Sequence, residues 1–529
     1  MANHLTDADV RWALKHLQQF GDTDLFPRPF ELDLLVEKEG VVVKHVQSID
    51  LRQHVWSRPR RALVLKDELS FRSATQLDPL DAVIFAAIIR HDAKAMEKRR
   101  GARKGRVFSY PIALKANGQL YGTNGYEDFW KESGRLAQSA EFVLVTDISD
   151  FYNQVYHHTL EQEFQASNMD QAGAGAIVNL LKLCSSTTSR GLPIGPHGTH
   201  LLAELSLRQV DEALRNAGFT YVRYVDDIHV FCMSKSDGYR ALHLLAQVLD
   251  LVKLQLNRSK TKLVAAADWR EVAKNALDDD PVNDDERALI DGLRAAAPNN
   301  PYAVVRRTRM PPALRSALDR LRVIGIVKTY LSATPVDFPR LRWFFRRLTQ
   351  TTTAAAVDIV VERFEELTPA AADTIRYLRY ALSSYSGDKP HLGEQLLKVL
   401  DHSAVKHSEY LRLIVLSLFA GVADLNHVAK LMALFPTIDA AAQREVVLAA
   451  TNAKADGWLR TLKPMSIQDP WVRRAVVFSS ATWTADERKH WIKSVKGYGF
   501  LTDLVVEAVS QKDPAKKVMR ILGQRPKRL

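Results

Sequence analysis

The pattern of apolar and polar positions changes character twice along the chain. Near the start, "DVRWALKHLQQF" reads as helical, and "ELDLLVEKEGVVVKHV" then reads as extended. Residues 80–100, "LDAVIFAAIIRHDAKAMEKRR", predict a helix with one apolar side and a basic end that runs on to Arg106. That run is either a solvated helix end favoured by the dipole or a contact for a phosphate backbone.

Between residues 141 and 265 strand-like and helix-like pieces alternate. "EFVLVTDI" predicts an apolar strand ending in an acid, and "HGTHLLAELSLRQVDEALRNAG" a helix stopped at Gly218. "YVRYVDDIHVFC" reads as strand–turn–strand, and "GYRALHLLAQVLDLVKLQL" as a second amphipathic helix. This order predicts a mixed sheet with helices on one face. Residues 278–286, "DDDPVNDDE", read as a linker or surface loop. Beyond about residue 310 the pattern is almost wholly helical, with Arg376, Arg412, Arg444 and Arg473 each set near an apolar helical stretch, 36, 32 and 29 residues apart. Such spacing suits stacked helix pairs of the HEAT or armadillo kind; an irregular helical domain is the alternative.

At 529 residues the chain is too long for one core and predicts two or three domains. No apolar run of about 18 residues predicts a membrane span. "MANHLTDADVRWALKHLQQF" has early acids and no apolar core before a cleavage site, so it does not read as a signal peptide. Cys184 and Cys232 are the two cysteines, which excludes a disulfide framework or a zinc cluster and fits a reducing cytoplasm. The formal charge of +12 is compatible with a polyanionic partner without requiring one.

Three acids stand out by context. Asp147 ends the apolar run "FVLVTD", and Asp226 and Asp227 lie between two apolar strands. Asp278–Asp279 and Asp284–Asp285 are also pairs, but in a polar stretch where solvated acids cost nothing. Unpaired buried carboxylates cost several kcal/mol, so the first set needs compensation. Mg²⁺ would supply it, since it takes a few carboxylate oxygens, waters and substrate phosphates. Two such ions roughly 3.5–4 Å apart can activate an attacking hydroxyl and stabilise a leaving pyrophosphate. The plain alternative is a hairpin turn, where Asp is common.

The order of these pieces resembles the reverse-transcriptase family. "VTDISDFYNQV" resembles its first palm motif, "GLPIGPHGTHLLAELSL" the second, "RYVDDIHVF" the Tyr-x-Asp-Asp turn, and "LQLNRSKTKLV" the Asn-x-x-Lys-Thr motif; "ELSFRSATQLDPLDAVIFAAI" resembles the fingers segment. The resemblance covers roughly residues 30–265. It implies an α+β fold of right-hand fingers and palm, followed by an all-α HEAT-like helical-repeat domain. The expected domains are 1–135, the N-terminal and fingers region; 136–275, the palm; and 290–529, helical repeats in place of a conventional thumb.

By this resemblance Asp147, Asp226 and Asp227 are the catalytic and metal-holding residues, for two Mg²⁺ or in their place Mn²⁺. Tyr152 would lie under the sugar of the incoming nucleotide and clash with a 2′-hydroxyl. Arg72, with Lys66, would reach the triphosphate, a task that suits Arg. Lys260 would neutralise or protonate the departing pyrophosphate. Gly195 and Pro196 would let the backbone approach the nucleotide and template, and Tyr224 would pack near the primer end. Each of these side chains has an ordinary core or surface role as its alternative.

Many family members carry Gln where Ile194 stands in "GLPIGP". The Ile form, with the long helical stretch, most resembles the bacterial abortive-infection (Abi) and unknown-group phage-defence reverse transcriptases. That likeness implies a cytoplasmic nucleotidyltransferase that adds dNTPs, a single-stranded DNA product attached to a protein hydroxyl, no template, and homo-oligomers through the helical domain. A second reading is RNA-templated synthesis on an associated non-coding RNA or for a retroelement. A third is a nucleic-acid-binding scaffold without catalysis. The stretches 304–330 and 339–348 mix Arg with aromatics and suit single-stranded product or ordinary amphipathic helices.

Overall fold

A computed structural model describes residues 5–101, 105–186, 188–277, 281–296, 310, 312–463 and 469–524. Within them the strands are β1 (Arg60–Leu65), β2 (Phe71–Gln76), β3 (Phe142–Thr146), β4 (Thr220–Tyr224), β5 (Asp227–Cys232) and β6 (Lys262–Ala265). β1 and β2 form a two-stranded sheet, and the other four a sheet of order β4-β5-β3-β6. The chain divides into two compact units: residues 1–23, 38–60 and 75–280, and residues 24–37, 61–74 and 281–529. The expected N-terminal region 1–135 is thus shared between them.

In the first unit every pairing of the four-stranded sheet is antiparallel, which replaces the expected mixed sheet. The cause is the tight Val225–Asp226 connection, which pairs Tyr224 with Asp227 and sends β5 back between β4 and β3. Strand alternation then sorts the side chains. Val143, Val222 and Phe231 share one face and bury against Phe129, Ala137, Ala266 and Trp269, from helices Gly125–Leu136 and Ala266–Leu277 and the short turn between the first of these and β3. Each Val or Phe of this set contributes about 1.5–3 kcal/mol by leaving water, and each Ala less. Helices Arg208–Asn216 and Lys235–Leu251 pack against the sheet too, so it is covered on both faces, not one.

Three local expectations are corrected. The stretch expected to be extended forms helices Glu31–Glu37 and Glu39–Ser48. Val42, Val43 and Val46 lie on one buried side of the second, and burial outweighs the small helix cost of branched side chains. The single helix expected before Gly218 is two, Thr199–Ser206 and Arg208–Asn216, interrupted at Leu207. Part of the expected acidic loop is the first turn of helix Asp284–Ala296, where Asn283 Oδ1 accepts from the Glu286 amide and acids complement the dipole. Asp278 and Asp279 lie outside the described residues.

In the second unit helices Ala371–Ala381, Glu409–Gly421, Ala440–Asn452, Pro470–Ser479 and Phe500–Ser510 pack each on the next in chain order, with other helices between them in sequence. Arginines stitch this row. Arg346 reaches Asp373, and Arg412 reaches Asp439, the cap of the following helix in the row. Arg444 is buried, donates both Nη groups to Glu31 at 2.8 and 2.6 Å, and stacks on Phe30 and Trp471; Arg474 Nε joins the same carboxylate at 2.7 Å. Arg473 instead covers the Tyr498 ring. Of the Arg-aromatic stretches, residues 304–309 and 311 lie outside the described residues, while Arg340 and Arg347 flank Trp343 at 4.2 and 5.1 Å. No described helix is long and apolar enough to cross a membrane.

Candidate active site

The acid cluster lies at one end of the β3–β5 ladder. The register runs from Phe142 opposite Cys232 to Thr146 opposite Ile228, so its next step sets Asp147 against Asp227. Alternation puts both on the face that carries Val143 and Phe231. Asp226 stands beside them in the turn. Asp147 is only 5 % exposed, while Asp226 and Asp227 are half-buried. Burial, then the charges of Asp226 and Asp147, push the Asp227 carboxyl up to about 7, against the pull of Lys260.

Asp147 is gripped by the segment before β6. Asn257 Nδ2 donates to Asp147 Oδ2 at 3.0 Å, and the Asn257 amide donates to the Asp147 carbonyl at 2.7 Å. Lys260 Nζ lies 3.0 Å from Asp147 Oδ1. Thr261 completes the turn, its hydroxyl donating to the Asn257 carbonyl at 2.7 Å and meeting the Thr146 hydroxyl at 2.8 Å. Partial burial lowers the Lys260 ammonium's pKa, but Asp147, Asp227 and Asp226 outweigh it and leave the pKa raised.

A buried network that the sequence reading did not find holds the turn from beneath. Arg223, fully buried on the opposite face of β4, donates to Asp211 (2.9 and 2.6 Å) and Glu204 (3.2 and 3.1 Å), and its Nη1 donates to the Val225 carbonyl at 2.8 Å. Arg100 shares Glu204 at 2.8 Å and donates to the Ser109 and Tyr110 carbonyls. Burial pushes the Glu204 carboxyl up, and the two guanidinium groups more than reverse it. The two backbones it holds are both left-handed: Val225 at φ 56° and Tyr110 at φ 45°. For a branched residue this is a strained conformation, which persists only where its surroundings over-determine it. The signal in the sequence is an Arg at an inward position of an apolar strand, with Glu204 and Asp211 seven residues apart on the preceding helical stretch.

Aromatic rings border the acids. The Tyr152 hydroxyl meets His200 Nδ1 at 2.6 Å, and His200 stacks flat on Tyr110 with centroids 4.1 Å apart. Tyr110 leads to Tyr224 at 6.2 Å, and Tyr224 to Tyr126 at 5.3 Å. Burial, chiefly, raises the phenols of Tyr110 and Tyr152, and Asp226 adds to both. His200 and Tyr110 had no place in the sequence reading. Gly195 has a local reason to be glycine: at φ 143° a Cβ would stand 2.2 Å from the Thr75 carbonyl, and the Ile194 carbonyl accepts from the Thr75 amide at 2.7 Å. Pro196 is buried, its carbonyl accepting from the Thr199 amide at the start of the next helix.

The donor chemistry fits a hard divalent cation, since all three acids are carboxylates and their mutual repulsion raises Asp227. Among the described residues no group of three or more His, Cys, Asp or Glu side chains is arranged to hold an ion by itself. Mg²⁺, which takes a few carboxylate oxygens and completes its shell with water and phosphate oxygens, is the kind of ion these carboxylates would suit. Lys260 supplies a positive charge at Asp147.

Four ordered segments thus meet around the acids: the end of β3, the turn between β4 and β5, the helix after Gly195, and the Asn257–Thr261 turn. Residues 85–294 match the family described as reverse transcriptase (RNA-dependent DNA polymerase). Asp147, Tyr152, Gly195, Pro196, Tyr224, Asp226, Asp227 and Lys260 all fall within the matched residues. Lys66 and Arg72 precede them and belong to the second unit. No curated protein sequence matches the chain. Among solved structures, a telomerase from Candida albicans in complex with the TWJ fragment of telomeric RNA is similar over 75 % of this chain and 70 % of that one, at 11 % identity and a TM-score of 0.31.

Proposed function

We propose that the protein is a DNA polymerase of the reverse-transcriptase family that serves bacterial anti-phage defence, primed from a protein hydroxyl and working without a template. The observation that carries the polymerase reading is the register that sets Asp147 against Asp227, with Asp226 in the adjoining turn. These three would hold two Mg²⁺, or Mn²⁺ in their place. Bound there, the ions would activate the attacking hydroxyl and neutralise the leaving pyrophosphate.

The chain's own residues do the positioning. The Arg223 network keeps the Val225 turn rigid, so the acids reach the substrate without reorganisation. Lys260 offers the pyrophosphate a cation, moving from Asp147 to the new charge. The Tyr152 ring lies under the deoxyribose. Support for the defence reading comes from Ile194 in the second motif and from the row of stacked helices in the second unit, which we read as HEAT-like repeats through which copies associate. RNA-templated synthesis is the second reading, and the description of the matched family favours it.

The test is incubation with labelled dNTPs and no added nucleic acid, followed by denaturing electrophoresis. Label migrating with the protein supports the first reading; label that requires an RNA supports the second. If Asp226→Ala with Asp227→Ala incorporates as well as the native chain under both conditions, the catalytic reading fails.

A further inference from the structure

A small cleft opens within the second unit, and four arginines and two aspartates supply its charged lining. Arg72 comes from β2, Arg342 and Arg346 from helix Phe338–Thr351, and Arg376 and Asp373 from helix Ala371–Ala381; Asp24 completes the charged lining. The charges do not cancel. Asp373 takes Arg346 at 2.9 Å and Arg376 at 3.7 Å, and Asp24 lies 3.6 Å from Arg376. Both carboxylates are thereby committed, and among the described residues Arg72 and Arg342 have no carboxylate partner.

Their surroundings make that costly. Arg72 Nε and Arg342 Nε are buried with no hydrogen-bond partner. Arg342 uses one Nη to donate to the Lys66 carbonyl, which leaves its charge unanswered. Burial and then the nearby Arg72 charge push the Arg342 guanidinium down, the opposite of what a paired arginine shows. Asp67, the other acid that Arg342 senses, is engaged by Ser70 and the Leu69 amide at the exposed tip of the hairpin. Two unpaired guanidinium groups with free donors, facing one cleft, are the arrangement that recognises a phosphate.

We propose that this cleft binds a phosphate group between Arg72 of β2 and Arg342 of helix Phe338–Thr351. The family resemblance gives Arg72 a triphosphate to contact, but it gives no role to Arg342, which lies beyond the matched residues. Two sources share this chemistry: the polyphosphate tail of a nucleotide and the backbone of a single strand. The nucleotide source deepens the polymerase reading at Arg72, but binding of either source can be measured with the acid cluster disabled, so failure of one reading is distinguishable from failure of the other.

The experiment uses the full chain carrying Asp226→Asn and Asp227→Asn, in EDTA and low salt, so that the acid cluster plays no part. Binding of tripolyphosphate, of dATP, and of a thymidine 20-mer without a terminal phosphate is measured by calorimetry. Arg342→Gln and Arg342→Lys are compared with the control Arg322→Gln, an exposed arginine of helix Arg320–Ser332 that does not line the cleft. At least tenfold weaker binding of tripolyphosphate and dATP in Arg342→Gln, with partial recovery in Arg342→Lys and none lost in the control, supports the site and assigns it to a nucleotide tail. The same loss confined to the 20-mer supports it and assigns the backbone. Equal binding by Arg342→Gln and its parent for all three probes overturns the proposal.

Discussion

Lys260 Nζ stands 3.0 Å from Asp147 Oδ1, on the carboxylate that ends β3. The ammonium therefore occupies the side of Asp147 that a metal would also seek. Its removal has two opposed consequences. Without a cation to offer the leaving group, Lys260→Met should lower kcat for nucleotide addition about 10²–10⁴-fold, the usual range for a lost general acid. With its competitor gone, Asp147 should accept the metal more readily, so the Mg²⁺ concentration for half-maximal rate should fall. A magnesium titration of both proteins reads the two effects separately. A rise in the Mg²⁺ requirement would show that Lys260 orders the acids and does not compete for them.

Arg223 carries a second prediction. Its guanidinium is fully buried and binds two carboxylates and the Val225 carbonyl at once. Breaking a buried pair leaves an uncompensated charge and costs about 3–5 kcal/mol. Arg223→Leu should lose that much stability in urea unfolding. Glu204→Gln, which keeps the shape and removes one charge, should lose less while still leaving Arg100 and Arg223 short of a partner. Hydrogen exchange over β4 and β5 should rise in both, because the strained Val225 turn loses its anchor. Unchanged exchange there would mean that the turn holds itself.

These two residues also show where the sequence was legible. The acids were visible because carboxylates are out of place beside apolar strands, and because four short patterns occur in a fixed order. The sheet around them was legible for the same reason, apart from its strand directions. Arg223 was not legible as an anchor. Its partners lie 12 and 19 residues away on separate helices, and only the folded chain shows that all three meet. The stretch holding Val42, Val43 and Val46 misled in the other direction, since branched residues favour strands until burial on one helical side outweighs that preference. Arg72 was assigned a ligand by resemblance, but its unpaired neighbour Arg342 lies 270 residues further on, beyond any motif.

A pH dependence follows from Glu31. Burial raises its carboxyl, but Arg444 and Arg474 reverse this and hold it at about 2, below the unfolded value of about 4.3. The sign follows from proton uptake. The folded-state pKa is depressed, so the stabilisation is complete above about pH 4.3 and is lost as pH falls toward 2. Unfolding of the second unit, followed by fluorescence of Trp471, which stacks on Arg444, should therefore shift to lower urea through that acid window. Glu31→Gln should flatten the Glu31 part of this dependence. At pH 7 it should cost about 3–5 kcal/mol, because two buried arginines then lack their carboxylate.

The last prediction separates two roles of Tyr152. Its hydroxyl meets His200 Nδ1 at 2.6 Å, while its ring lies in the aromatic row beside Asp226. If the ring is what excludes a 2′-hydroxyl, discrimination depends on its bulk and not on the hydrogen bond. Tyr152→Phe should then keep its preference for deoxynucleotides. It should lose about 0.5–1.5 kcal/mol of stability from the missing bond. Tyr152→Ala should admit ribonucleotides, narrowing the ratio of kcat/KM values for dNTP over rNTP at least tenfold, which is about 1.4 kcal/mol. Single-nucleotide incorporation with both substrates gives that ratio directly. If Tyr152→Phe loses discrimination as fully as Tyr152→Ala, the hydrogen bond to His200 is what sets the ring, and His200→Ala should then reproduce the same loss.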